Sequence, residues 1–361
     1  MVTLRIDGRE VAVGEGATVL EAAQKAGVSV PTMCYLPGYR NHTSCMVCLV
    51  KERQSGRFLP ACSSPAQDGM DVDTCSDEVA TLRKGALDLL LSEHVGDCEA
   101  PCRRVCPAGM NIPLLLRLAA AGDWPAAGEL VAEAQPPCVL DQDCPAPCER
   151  VCRRGQVDAA VSIRLVTRYA RTHRPDDAEG AGTGRPAAPP LRNVSVLPKL
   201  REDEKAEMLK GADPGPRVEP SAGAEAGFSA EEAVREAGRC MHCDCRKAET
   251  CLLRRYAAEY GGEQKRYRGR ERTSFERIVQ HPDVIYEPGK CIKCGICVRI
   301  TEKAREPLGL TFIGRGFDMR VGVPFDEVVS EGLKRVARDC IAACPTGALA
   351  ATRPLADEAG G

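Results

Sequence analysis

Of the 361 residues, 21 are cysteine, and their spacing is where the chemistry of this chain lies. Two nine-residue stretches, Cys98-Glu-Ala-Pro-Cys102-Arg-Arg-Val-Cys106 and Cys144-Pro-Ala-Pro-Cys148-Glu-Arg-Val-Cys152, agree at seven of nine positions. Each is C-x3-C-x3-C, and a spacing of four puts successive thiols on one side of a helix. The first and third sulfurs of a copy then lie about 12 Å apart at roughly 1.5 Å rise per residue, too far to share one small iron–sulfur cube. Each copy is therefore expected to split its thiols between two centres, with the copies facing each other.

Three further sets flank this repeat. Cys34-x10-Cys45-x2-Cys48-x13-Cys62 brings four thiolates from a Gly- and Pro-punctuated loop. Thiolates are soft anionic ligands suited to iron, and two irons bridged by two sulfides need two outer thiolates each. Cys240-x2-Cys243-x-Cys245-x5-Cys251 places four thiols within twelve residues, enough to close one tetrahedral site for zinc or for [4Fe-4S]. The surrounding cysteines favour a cluster there, with zinc as the alternative. Cys291-x2-Cys294-x2-Cys297 is followed much later by Cys340-x3-Cys344-Pro. Cys75, past the first set, is read as a spare thiol.

The rest of the composition narrows the function. Hydrophobic residues make up 43% of the chain but aromatic ones only 4%, so large apolar cores are not the main cement. The chain opens on a charged strand without an apolar leader, and no run reaches the length of a membrane-spanning helix. Clustered cysteines then imply metal in a reducing, cytoplasmic setting rather than disulfides. A formal net charge of −2 gives no electrostatic case for nucleic-acid binding. The basic stretch Lys265-Arg-Tyr-Arg-Gly-Arg-Glu-Arg272 is read as a solvated face, with a docking patch for an acidic partner as the alternative.

The elements that must position the first cysteines are legible. Val2, Leu4 and Ile6 alternate with polar residues, Asp7-Gly8 signals a tight hairpin, and Val11 and Val13 resume the alternation. Thr18-Val-Leu-Glu21 is a capping box for a helix running to Gly27. Hairpin, helix and cysteine-bearing loop together resemble the start of a β-grasp ferredoxin. The Cys34–Cys62 spacing resembles the N-terminal [2Fe-2S] domain of the large iron–sulfur subunit of respiratory complex I and of related hydrogenase subunits.

From Asp77, the apolar positions Val79, Leu82, Ala86, Leu89 and Leu90 recur at helical spacing and deliver His94 at the helix end. His94-x3-Cys98 again resembles the complex I subunit, which implies a His-and-three-Cys [4Fe-4S] site, although that family continues C-x2-C-x5-C where this chain has C-x3-C-x3-C. Beyond Cys98 the repeat, a helical hairpin (112–121 and 123–134) and the stretch 161–170 resemble the helical two-cluster domain of the glutamate synthase small subunit and of dihydropyrimidine dehydrogenase. In that family one cluster takes a non-cysteine ligand from the closing helix, and here that position falls near Thr167, a poor iron ligand. The six repeat cysteines with His94 and Cys138 make eight ligands. They are assigned as His94, Cys98, Cys102 and Cys152 for one centre and Cys106, Cys138, Cys144 and Cys148 for the other. Trp124 is expected in the core between the hairpin helices.

Residues 173–227 are rich in Pro, Gly, Ala and charge and read as a flexible linker, with one short helix at 202–209. Gly180-Ala-Gly-Thr-Gly184 lacks a preceding strand and meets Pro186, so it is not a dinucleotide fingerprint. Ser229-Ala-Glu-Glu232 caps a helix leading into Cys240. The Cys291 run completed by Cys344-Pro resembles bacterial ferredoxin domains, which implies Cys291, Cys294, Cys297 and Cys344 on one [4Fe-4S]. Thr301 stands where a second cluster's ligand belongs, leaving Cys340 as a remnant. A strand at 309–314 and an amphipathic helix at 324–338 are expected between the two ligand sets.

The expected fold is a multidomain α+β chain. It comprises a β-grasp ferredoxin domain (1–78), an all-helical two-cluster domain (79–172), the linker (173–227) and a small ferredoxin-like α+β domain (228–361). The expected cofactors are one [2Fe-2S] and three to four [4Fe-4S] centres, with no FAD or NAD(P) site. The expected function is non-catalytic electron transfer between a flavin- or NAD(P)H-oxidising partner and another redox enzyme. A stand-alone oxidoreductase and a zinc or iron–sulfur structural subunit are the alternatives.

Overall fold

The computed structural model describes residues 1–134, 144–173, 197, 199–267, 269 and 273–353. The chain divides into two compact units, neither continuous in sequence. Unit 1 joins Met1–Val95 with Thr250–Thr273 and Gln280–Ala350; unit 2 is Gly96–Glu249 with Ser274–Val279 and Ala351–Gly361.

Unit 1 begins with β1 (Val2–Ile6), whose Leu4 and Ile6 face the core. It pairs antiparallel with β2 (Arg9–Val13) across Asp7 and Gly8, both at positive φ (50° and 79°), the backbone a two-residue primed turn requires. Helix α1 (Val19–Lys25) carries the expected reciprocal cap: Thr18 Oγ1 accepts from the Glu21 N–H at 3.2 Å, and the Glu21 carboxylate accepts from the Thr18 N–H at 2.7 Å. Strands β3 (Leu49–Glu52), β4 (Phe58–Pro60) and β5 (Asp71–Asp73) complete a five-stranded sheet in the order β2-β1-β5-β3-β4. Within it β1 and β5 run parallel, the crossover of a β-grasp sheet.

Helix α2 (Asp77–Ser92) buries a different row from the one its apolar letters suggest. Val79, Arg83, Leu87, Asp88 and Leu91 face inward, whereas Leu82 and Leu89 are 38% and 56% exposed. The i, i+4 row Val79-Arg83-Leu87-Leu91 wins because its polar member is satisfied inside. Arg83 donates to the Leu49 carbonyl at 2.8 and 3.1 Å and to the Tyr260 hydroxyl at 3.0 Å. Asp88, next to this row, accepts from the Glu263 N–H at 2.6 Å and from Lys84 Nζ at 3.0 Å.

Unit 2 is helical. Its elements are α3 (Pro101–Val105), α4 (Ile112–Ala120), α5 (Trp124–Ala132), α6 (Pro147–Arg150), α7 (Ile163–Thr172), α8 (Glu202–Leu209) and α9 (Ala230–Gly238). Asn111 and Asp123 cap the hairpin helices α4 and α5. Ile112, Leu115, Leu116, Val131, Ile163 and Val166 form the apolar centre, closed by Ala233 and Ala237 of α9. Trp124 is half-buried at the start of α5, edge-on to Tyr169 of α7 with ring centroids 4.5 Å apart. Part of the stretch whose composition suggests a linker is packed: Leu197, Leu200, Met208 and Val218 are buried. So is Glu204 of α8, which accepts from the Arg201 and Phe275 N–H groups at 3.0 and 3.4 Å.

The later part of unit 1 supplies α10 (Leu252–Tyr260), β6 (Val284–Tyr286), α11 (Ile296–Lys303), β7 (Thr311–Ile313), β8 (Arg320–Gly322), α12 (Val329–Gly332), α13 (Ala337–Ala343) and β9 (Leu349–Ala351). Strands β6 and β9 pair, as do β7 and β8. The helix expected over 324–338 is broken into shorter pieces. Phe325 and Asp326 take positive φ (64° and 56°), which no right-handed helix accommodates, and only α13 carries Cys340 towards Cys344.

Candidate metal centres

Every cysteine among the described residues is a free thiol. In unit 1, Cys34, Cys45, Cys48 and Cys62 are buried and interact as a group, Cys34 with Cys45 and Cys62, and Cys48 with Cys62. The neighbouring thiols hold Cys34 and Cys48 below the usual thiol range and push Cys45 and Cys62 above it. The irregular loop between α1 and β3 delivers Cys34, Cys45 and Cys48, and the turn after β4 brings Cys62, two residues past Pro60. Asn41 Nδ2 donates to the Cys62 carbonyl and ties the loop to that turn.

Also in unit 1, Cys291, Cys294, Cys297 and Cys344 face one another. Burial pushes Cys291 up to about 11, with Cys344 adding to it. Burial raises Cys297 well above the usual thiol range, with Cys294, Cys291, Cys344 and Cys340 contributing. The Cys340 thiol lies 3.9 Å from the Cys297 carbonyl oxygen. Thr301, at the position a second cluster would use, is occupied otherwise: its hydroxyl donates to the Val298 carbonyl at 2.9 Å and accepts from the Leu310 N–H at 3.0 Å.

In unit 2 the thiols form two groups. Cys102 is raised first by burial and then by the neighbouring Cys240, Cys243 and Cys152 thiols. Burial pushes Cys240 up to about 12, with Cys152 and Asp244 adding to it. The second group is Cys106, Cys144 and Cys148: burial pushes Cys148 up to about 12, with Glu149, Cys106 and Cys144 adding to it. These three line a pocket with Ile163 and Thr167 of α7, and Thr167 Oγ1 donates to the Ile163 carbonyl at 2.8 Å. Each copy of the repeat thus contributes to both groups. The means is not one long helix, since α3 and α6 span a single turn around Cys102 and Cys148. Cys106 and Cys152 follow them in extended backbone, and Pro101 and Pro147 start the turns where a missing N–H costs nothing.

Two C-x2-C turns share one geometry, with positive φ on the second residue between the cysteines (His242 at 46° and Lys293 at 54°), whereas in the Cys45 turn it falls on the first, Met46 (55°). The His242 N–H points at Cys240 Sγ (3.4 Å) and the Lys293 N–H at Cys291 Sγ (3.3 Å). Such N–H donation favours the charged sulfur. Buried thiols with donors aimed at sulfur are a fit for a cationic iron core, since a buried thiolate needs a positive partner.

The remaining expected ligands are placed as follows. His94 is buried beyond α2, its N–H donating to the Leu91 carbonyl at 3.1 Å and its carbonyl accepting from Gln264 Nε2 at 3.0 Å. The Cys98 carbonyl accepts from the Cys245 N–H at 3.2 Å. Cys251, buried in unit 1, precedes α10, and the Leu252 N–H donates to the Pro345 carbonyl at 2.8 Å. Cys138 lies outside the described residues. Cys75 is exposed.

Spacing of cysteines gives no sign of the charged residues that hold these turns. Arg153 pairs with Asp97 and donates to the Leu197 carbonyl at 2.9 Å. Arg154 pairs with Asp158 at 2.7 Å, and Arg239 with Asp158 at 3.1 Å and Glu236 at 3.0 Å; both arginines are buried. Despite its partial burial, Asp158 is held well below the usual carboxylate range, chiefly by Arg154. Since these arginines adjoin Cys152 and Cys240 in sequence, the network fixes the backbone on which both thiols ride. An arginine directly beside a clustered cysteine is the one signal that points to them.

Residues 1–77 match the 2Fe-2S iron-sulfur cluster binding domain family, and residues 92–178 match the family described as dihydropyrimidine dehydrogenase domain II, 4Fe-4S cluster. The NADPH-Fe(3+) oxidoreductase subunit alpha of Geobacter sulfurreducens is 36% identical over 109 residues, 30% of this chain and 12% of its own length. The NADP-reducing hydrogenase subunit HndD of Solidesulfovibrio fructosivorans is 40% identical over 103 residues, 27% of this chain and 18% of its own. The mitochondrial NADH-ubiquinone oxidoreductase 78 kDa subunit of Candida albicans is 34% identical over 108 residues, 30% of this chain and 14% of its own. The chain therefore spans less than a fifth of the length of these relatives. No helix among the described residues is long and apolar enough to cross a membrane. The chain thus carries a domain of the [2Fe-2S] family over residues 1–77, followed by one of the [4Fe-4S] family over residues 92–178.

Proposed function

We propose that this chain is an electron-transfer subunit of a cytoplasmic redox complex. It relays single electrons between a flavin- or NAD(P)H-oxidising partner and a second redox enzyme. The observation that carries the reading is the adjacency of two cysteine loops within unit 1: one nitrogen, Arg299 Nη2, donates to both the Cys34 carbonyl (3.0 Å) and the Cys294 carbonyl (3.2 Å). Side-by-side centres are what a relay needs, and relatives named as NADPH-, NADP- and NADH-linked oxidoreductase or hydrogenase subunits support it.

In this reading Cys34, Cys45, Cys48 and Cys62 hold a [2Fe-2S], and Cys291, Cys294, Cys297 and Cys344 hold a [4Fe-4S]. Cys102, Cys152, Cys240 and Cys243 hold a second [4Fe-4S], which regroups the ligands that spacing alone assigns. Cys106, Cys144 and Cys148 supply three ligands of a third. Each bound centre supplies one-electron chemistry at a potential set by ligands, charge and hydrogen bonds. The protein's part is to fix spacing, donate N–H bonds to sulfur and exclude water. Anaerobically purified protein is expected to contain well over ten irons per chain with matching sulfide, and to reduce no acceptor with NAD(P)H until a flavin subunit is added. A zinc-dominated metal assay, or NAD(P)H oxidation by the chain alone, defeats the reading.

A further inference from the structure

Arg299 is a buried cation that donates to carbonyls of two different cysteine loops. It sits on α11, two residues beyond Cys297. Its Nε donates to the Gly295 carbonyl at 3.2 Å, and its Nη1 to the Arg40 carbonyl. Its Nη2 donates to both the Cys34 carbonyl (3.0 Å) and the Cys294 carbonyl (3.2 Å). Two acceptors belong to the loop of the proposed [2Fe-2S], and two to the loop of the proposed [4Fe-4S]. Among the described residues it makes no ion pair.

The contacts around it point the same way. Lys303, one turn further along α11, lies over the Tyr39 ring at 4.3 Å and donates to the Gly38 carbonyl at 3.3 Å. His42 stacks on Phe312, with ring centroids 5.4 Å apart. Burying a guanidinium without a carboxylate is unfavourable unless other negative charge is near. Four carbonyl dipoles offset part of that cost, and the anionic thiolate-held centres of the cluster reading would offset the rest.

We propose that Arg299 is a positioning and charge-compensating residue shared by two redox centres, fixing the Cys34 and Cys294 loops against each other and favouring the reduced form of both. The inference rests on the cluster reading given above. Reduction of either centre adds one electron and one negative charge and makes or breaks no bond. A permanent cation between the two lowers the energy of each reduced form, so it raises both potentials. Lysine is a poor substitute, because a compact ammonium with three donors cannot reach four acceptors in a planar fork.

The test is redox titration of the full chain, followed by EPR, for the wild type, Arg299→Lys and Arg299→Met, with iron and sulfide measured on each. Arg299→Met is expected to lower both midpoint potentials while the centres of unit 2 keep theirs. Arg299→Lys is expected to lower both by less. Should Arg299→Met fail to load iron, Arg299→Lys carries the test alone. A shift in only one centre, in neither, or in all centres equally overturns the proposal while leaving the cluster reading intact. A wild-type protein lacking the two EPR signals overturns the cluster reading, and this inference with it.

Discussion

Arg117 and Asp244 form a buried two-pronged ion pair, with Nη1–Oδ1 and Nη2–Oδ2 both 2.9 Å. Arg117 belongs to α4 and Asp244 follows Cys243, so the pair ties a cysteine turn to the helical hairpin. Burial works against the Asp244 charge, yet Arg117 holds the carboxyl well below the usual range. Asp244→Asn is expected to cost about 3–5 kcal/mol of stability, because it strands a buried guanidinium. Denaturant unfolding checks this, and an unchanged midpoint contradicts it. An Arg117→Met, Asp244→Leu double variant should lose less than Asp244→Asn.

The thiol groups of unit 2 make a sharp genetic prediction. Serine at Cys102, Cys152, Cys240 or Cys243 should remove the same EPR signal, and serine at Cys106, Cys144 or Cys148 a different one. If Cys240→Ser and Cys102→Ser remove different signals, the grouping fails.

Cys340 and Cys344 stand one helical turn apart, but only Cys344 is assigned to iron. Cys344→Ala should delete one [4Fe-4S] signal. Cys340→Ala should keep full iron content and cost about 1 kcal/mol for the small cavity it leaves at a fully buried site.

Thr18→Ala removes the α1 cap and is expected to destabilise the N-terminal part by about 1 kcal/mol. The visible spectrum of the [2Fe-2S] should stay as in the wild type, since Thr18 supplies no ligand. A spectral change with unaltered stability would reverse the assignment of roles.

Iron removal by a chelator under reducing conditions should cost unit 2 its cooperative melting. Cys148 and Cys240 belong to its buried core, with Cys102, Cys106 and Cys152 packed against it, so unliganded thiols leave the middle of that core without its cement. Circular dichroism during heating reads the effect directly.

Much was legible in the letters. The Asp7-Gly8 hairpin, the Thr18-Glu21 and Ser229-Glu232 caps, and the α8 helix all follow from local rules that act over two to four residues, so they need no knowledge of the rest of the fold. Cysteine spacing likewise pointed to iron–sulfur centres, with zinc left open at the Cys240–Cys251 set, because soft, clustered thiols suit both. Helix α2 shows the limit. Its apolar letters point to Leu82 and Leu89, yet Arg83 and Asp88 are the buried residues, because partners more than thirty positions away satisfy them.

The repeat drew the same boundary. Its two nine-residue copies establish from sequence that thiols come in recurring threes. Which thiol sits with which was decided by tertiary structure: α3 and α6 stop after one turn, the chain leaves them extended, and the long return through α9 brings Cys240 and Cys243 beside Cys102 and Cys152. A spacing rule describes neighbours along one element, whereas these groups are assembled across many, on a backbone held by Arg153, Arg154 and Arg239. The carbonyls that Arg299 joins are 260 residues apart in sequence, at Cys34 and Cys294, and only the fold makes them neighbours.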